Sequence, residues 1–146
     1  MGHPPDAFGP FAIEMALGYE NELNVRIIGP IVIELLTAGT QTYDAHGKSK
    51  VPLIRCGKVH RLGTTLGSLA WFLGKDPVMR SKISGRGFDV EAISKDAAWV
   101  SDVRNKAAHD CTCDRTLADE LRRRILTRDG ILSRLHPDAA GATNTH

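Results

Sequence analysis

Residues 104–109 read Arg-Asn-Lys-Ala-Ala-His, a guanidinium and an imidazole close enough in the chain to serve one site. Arginine offers a planar fork suited to anions, and histidine is the side chain whose proton exchange falls nearest neutral pH. The helix that must carry them can be phased at about 100° per residue. On that count Val90, Ile93, Ala97, Val100, Val103 and Ala107 form one apolar stripe, and Arg104 falls about 40° from its centre. An arginine in an apolar seam is costly unless its fork meets an anion or a paired carboxylate. The plain account is a structural ion pair, with Glu14, Glu34 or Asp96 as partner. His109 lies five residues further on, where a regular helix turns it away from the stripe. The pair meets only if the helix ends or bends near Ala107-Ala108. Asn105 and His109, at i and i+4, share a face while the helix lasts. A histidine near a helix C-terminus also has a plain role, as a favourable partner of the helix dipole.

Other chemistry is thinner. Cys56 with His60, and Cys111 with Cys113, could between them supply four zinc ligands. Structural zinc pairs favour two to four intervening residues, and the single residue between Cys111 and Cys113 fits poorly. Ordinary thiols are the expectation, with no metal and no cofactor. Arg122, Arg123 and Arg124 form a basic run, with Arg115 and Arg128 nearby. It reads either as a solvated helix face, with Asp119 pairing Arg123, or as a patch that tracks nucleic-acid phosphates. Trp71, Phe72 and Trp99 read as core, although the adjacency of Trp71 and Phe72 leaves one of them less buried. No phosphate loop, Ser/His/Asp set or paired-carboxylate motif stands out.

The elements that must hold these residues are helical. Apolar positions recur at threes and fours from Phe11 to about Ala38, with Leu17, Leu23, Ile27, Ile31 and Leu35 among them. Gly29-Pro30 interrupts this run, giving either one kinked helix or two helices, and Gly39 stops it. Residues 40–63 read as a long connection in which Val51 to Ile54 carry the one strand signal. A short helix spans Leu66 to Leu73, residues 74–88 form a loop, and Asp89 caps the helix that carries Arg104. Asp114 or Thr116 caps another helix to about Arg128, and a final turn packs Ile131, Leu132 and Leu135. The expectation is an all-α protein, a four- to five-helix up-and-down bundle. Residues 1–10 read as a flexible arm, 11–136 as the helical domain and 137–146 as an unstructured tail.

Composition bounds the rest. The 146 residues suit one domain; 42% are hydrophobic and 25% charged, which excludes disordered and fibrous classes. Nineteen basic against 17 acidic residues leave +2, which excludes a strongly basic nucleic-acid coat but not a locally basic face. Three cysteines are too few and too odd for a disulfide framework, so the expected compartment is the cytoplasm. The longest apolar stretch, residues 27–33, is far too short to span a membrane.

The motif at 104–109 resembles the signature of the HEPN superfamily: arginine, four to six residues, then histidine. The resemblance extends to placement, because that motif lies late in the third or fourth helix of an all-α bundle, with a further helix after it. Residues 24–39 resemble the first long helix of bacterial HEPN-like domains, and 65–73 their short middle helix. The likeness spans about residues 11–135. It implies a metal-independent endoribonuclease acting as a homodimer, in a toxin–antitoxin or antiphage defence setting, with RNA as substrate and an antitoxin or larger defence protein as partner. Arg104 would bind the scissile phosphate, His109 would move protons, and Asn105 would orient one or the other. The apolar stripe around Arg104 would then face a second subunit. Arg122, Arg123 and Arg124 would contact RNA. The alternative within the same family is a non-catalytic module for dimerisation or for binding a nucleotide or protein partner.

Overall fold

The structure, a computed structural model, describes residues 9–45, 49–55, 58–59, 66–110, 114–127 and 130–136. The N-terminal periodicity forms one continuous helical rod: α1 (Gly9–Leu23), a π turn (Asn24–Ile28) and α2 (Gly29–Thr37). Leu23, Ile28 and Gly29 all hold right-handed helical angles, so neither junction breaks the rod. Pro30 accounts for the π turn. Proline has no amide proton and its ring crowds the carbonyl four residues earlier, so the ladder widens ahead of it. The Gly29 N–H donates to the Asn24 carbonyl, five residues back. A Cβ on Gly29 would lie 2.8 Å from that oxygen, so glycine fits here without displacing its neighbours. Gly39, at φ +91°, then stops the rod, with Gly39 N–H and Thr40 N–H donating to the Leu36 and Leu35 carbonyls.

The connection after the rod is more structured than its sequence suggests. β1 (Thr42–Ala45) pairs antiparallel with β2 (Ser49–Pro52), and β3 (Ile54–Arg55) with β4 (Lys58–Val59), as two small ribbons. Tyr43 stands opposite Val51 in the first. The helices resume with α3 (Leu66–Lys75), α4 (Pro77–Gly85) and α5 (Val90–Asn105). A second π turn (Lys106–Asp110) prolongs α5. Then come α6 (Arg115–Leu126) and a 3₁₀ turn (Ile131–Leu135). The protein is an all-α helical bundle with two marginal ribbons.

Helix α4 corrects the loop expected over 74–88. Asp76 is its N-cap, accepting from the Met79 N–H at 3.0 Å, and Pro77 opens the first turn. Asp-Pro is a start signal, because proline at the first helical position loses no ladder bond; Gly74, Gly85 and Gly87 obscured it. The other starts follow expectation. Asp89 accepts from Ala92 N–H at 3.1 Å, and Asp114, not Thr116, accepts from Leu117 N–H at 2.9 Å.

The core lies between the rod, α3, α5 and α6. Ala12, Ala16, Tyr19, Leu23, Ile27 and Ile31 face inward from the rod, against Leu69 and Leu73, Ile93 and Val100, and Leu121 and Ile125. Leu17, expected in that apolar pattern, is half exposed at 51%; alanines take the inward positions of α1 and let the helices approach. Among the described residues no helix is long and apolar enough to cross a membrane. Glu34 joins the rod to α4 through Lys82 (2.9 Å) and Arg86 (3.2 Å). The Lys82 hydrogen bond, with its charge, holds the Glu34 carboxyl below the usual range.

Asp76 is the polar knot of this half of the molecule. It is 2% exposed, caps α4 and accepts a hydrogen bond from the buried Tyr43 hydroxyl of β1. Asp76→Ala removes a cap, worth about 1 kcal/mol, and orphans a buried hydroxyl, at about 1–3 kcal/mol. A total loss of about 2–3 kcal/mol is expected in urea unfolding, against about 1 kcal/mol for Tyr43→Phe, which leaves the cap in place. Equal losses for the two variants would contradict the double role.

Candidate functional site

The α5 stripe folds as phased: Ile93, Ala97, Val100 and Val103 are buried, and Ala107 after them. They are buried against the chain's own helices, so the stripe does not face a second subunit as the resemblance suggested. Arg104 sits at its margin, half buried. The carboxylates expected opposite it are engaged elsewhere or absent. Glu34 holds Lys82 and Arg86, Asp96 holds Arg134 at 3.0 Å, and Glu14 is exposed and makes no ion pair with Arg104. Among the described residues, no carboxylate pairs with Arg104. Its position at the margin makes this tolerable, since an arginine stem can lie on apolar surface while its head stays hydrated.

Asn105, the next residue, is exposed and ends α5. The helix neither stops nor breaks at Ala107-Ala108. It widens into the π turn from Lys106 to Asp110, which includes the backbone of His109; the His109 side chain lies outside the described residues. A π turn takes one more residue than an α turn, so positions five apart return toward one side of the axis. Position 109 is thereby nearer the side of 104 than about 140°, the separation in a regular helix. Such single π turns occur often at functional sites.

The arginine run divides. Arg122, Arg123 and Arg124 are all exposed on α6. Arg124 pairs with Glu120 at 2.8 Å and its guanidinium lies over the Trp99 ring, 4.2 Å from the centroid. Asp119 approaches Arg115 at 3.8 Å, not Arg123 as expected. Arg123 and Arg124, without Arg122, line an open pocket of about 400 Å³ with Asp96, Thr127, Gly130, Ile131 and Arg134. Burial raises the Asp96 carboxyl above its usual range, although Arg134 pulls it down. Within reach of both charges is Tyr19, 1% exposed, whose hydroxyl has no hydrogen-bond partner among the described residues. Burial pushes its ionisation well upward. Arg134 joins this group across 38 residues, and no local spacing in the sequence announces it.

Trp71 is the exposed member of its pair, 40% accessible, with Phe72 edge-on to it and buried. Cys56, His60, Cys111, Cys113 and Arg128 lie outside the described residues. Among those described, no group of three His, Cys, Asp or Glu could hold a metal ion. Comparison with family models, curated proteins and solved structures finds no match for the chain.

Proposed function

We propose that the chain is a metal-independent endoribonuclease of HEPN type, working as a homodimer in a toxin–antitoxin or antiphage setting. The observation that carries the reading is a half-buried guanidinium on α5, with no carboxylate partner among the described residues, just ahead of a π turn that contains the motif histidine. A structural ion pair is the competing account of Arg104, and its three expected partners make no pair with it. The setting, the homodimer and the RNA substrate rest on the resemblance of residues 104–109.

In this reading the Arg104 fork binds two oxygens of the scissile phosphate and gains strength as charge develops there. Asn105, exposed beside it, orients the phosphate or the imidazole by hydrogen bonds. His109 moves protons. The ribose 2′-oxygen loses its proton and bonds to phosphorus while the bond from phosphorus to the 5′-oxygen breaks. That oxygen leaves protonated, so the products are a 2′,3′-cyclic phosphate and a 5′-hydroxyl end. Neither a metal nor a cofactor enters the balance.

The test is end-labelled structured RNA incubated with wild-type and His109→Ala protein in EDTA. Cleavage by wild type alone, with cyclic phosphate ends, is the expected result. No cleavage by either, from a protein that sizes as a stable dimer, would move the assignment to a non-catalytic module.

A further inference from the structure

We propose that the pocket between α5, α6 and the 3₁₀ turn is a phosphate-binding site, separate from the motif at 104–109. Its lining holds three guanidiniums, of Arg123, Arg124 and Arg134, and one carboxylate, of Asp96. Two of the forks are already fixed in place. Arg134 spends one terminal nitrogen on both Asp96 oxygens, at 3.1 and 3.0 Å. Arg124 is held by Glu120 and by the Trp99 face beneath it. Neither fork is used up, because a guanidinium has five donors. Arg123 has no carboxylate partner among the described residues. Among the described residues, even with Glu120 counted, the cluster keeps one uncompensated cation.

An anion is therefore what this pocket lacks, and phosphate fits better than carboxylate. A carboxylate presents two oxygens in one plane and is satisfied by a single fork. Donors arriving from both α6 and the 3₁₀ turn match the tetrahedral spread of phosphate oxygens. Thr127 adds a hydroxyl. The volume suits a small ligand, since ligand pockets run from about 300 to 1,000 Å³. Because two of the three guanidiniums are pre-set by Asp96, Glu120 and Trp99, less ordering is left to oppose binding.

The phosphate can belong to a free nucleotide or to a nucleic-acid strand. Asp96 and Arg104 lie eight residues apart on α5, about 12 Å at 1.5 Å per residue. A strand held here would pass toward Arg104, and that version rests on the ribonuclease reading; the phosphate site itself does not.

The experiment titrates His109→Ala protein, in which no cleavage intrudes, with adenosine monophosphate, adenosine and a single-stranded oligoribonucleotide by calorimetry. Arg123→Glu is then added, an exposed change whose melting temperature is checked. Lys95→Glu, an exposed site outside the lining, repeats the charge change. Binding of the monophosphate but not of adenosine, weakened at least tenfold by Arg123→Glu and less than twofold by Lys95→Glu, is the result for a free-nucleotide site. The same pattern with the oligonucleotide alone assigns the phosphate to a strand. Affinities that Arg123→Glu leaves unchanged, or that Lys95→Glu lowers equally, overturn the proposal. Binding is read here without cleavage, so an inactive wild-type enzyme leaves the outcome intact.

Discussion

Arg104→Ala is expected to slow RNA cleavage by about a hundred- to a thousandfold, the range for removing one preorganised donor to a developing oxyanion. Its melting temperature should fall by no more than a few degrees, because Arg104 is only half buried and has no carboxylate partner among the described residues to strand, which leaves the packing of its stem as the loss. The two readings of this arginine differ most sharply in that combination. Had Arg104 been one half of a buried pair, its loss would strand a carboxylate and cost about 3–5 kcal/mol. Asp96 and Glu34 already have other partners, so no such cost arises. Arg104→Lys refines the test. Lysine keeps the charge but not the fork, and at a bidentate site that exchange is not conservative. It should recover no more than about tenfold of the lost rate, one charge-assisted hydrogen bond at about 1.4 kcal/mol per tenfold. Full activity in Arg104→Lys would mean that the residue contributes field and not geometry. A collapse in stability in Arg104→Ala would return it to a structural role.

The features legible in the sequence are those decided by near neighbours. Asp89 and Asp114 cap their helices because a side-chain oxygen reaches an amide three residues on, and Gly39 stops the rod because its left-handed angles suit glycine. The α5 stripe follows from helix phase alone, but phase puts Arg104 inside that stripe, whereas the fold leaves it half-buried at the margin. Helix α4 was hidden because Pro77 reads as a breaker, although one residue after a capping aspartate it is a starter. The π turns were hidden for a different reason. Phasing assumes a constant angle per residue, and Gly29-Pro30 marks where the rod is perturbed without saying how. The pairings that take Asp96 and Glu34 away from Arg104 were not legible at all. Asp96 meets Arg134 across 38 residues and Glu34 meets Lys82 across 48, distances at which tertiary packing alone chooses the partner. For the same reason the arginine run could be seen on the sequence, but not its division into pocket-lining Arg123 and Arg124 and outlying Arg122.

Gly130→Ala is expected to be the most damaging of the single-atom changes considered, at about 3 kcal/mol or more, the upper range for forced overpacking. The reason is space and not backbone freedom, since φ at Gly130 is −77°, open to any residue. A Cβ there would lie 2.2 Å from the Arg124 carbonyl oxygen, 2.8 Å from Thr127 Oγ1 and 2.9 Å from the Thr127 carbonyl oxygen. Two of the three obstacles are backbone at the end of α6, so no side-chain rotation relieves the clash. The chain must lift instead, and with it the bonds from Gly130 N–H to Thr127 and from Ser133 N–H to Gly130, at 2.9 and 3.0 Å. Those bonds seat the 3₁₀ turn, which places Ile131 and Leu135 in the core and brings Arg134 to Asp96. A fall in melting temperature of about 10 °C is therefore expected for a chain of this size. Gly85→Ala is the matching control: nothing lies within 4 Å of its Cβ position. It closes α4, where alanine should be neutral or stabilising by about 0.4–1 kcal/mol. If Gly130→Ala melts within a degree of wild type, the 3₁₀ turn is not anchored by that contact. If it melts low but recovers phosphate affinity when cooled, the turn governs stability and leaves the arginines where the ligand needs them. A joint loss of both would tie the pocket to the seating of the turn, which is the outcome that the Arg134–Asp96 pairing predicts.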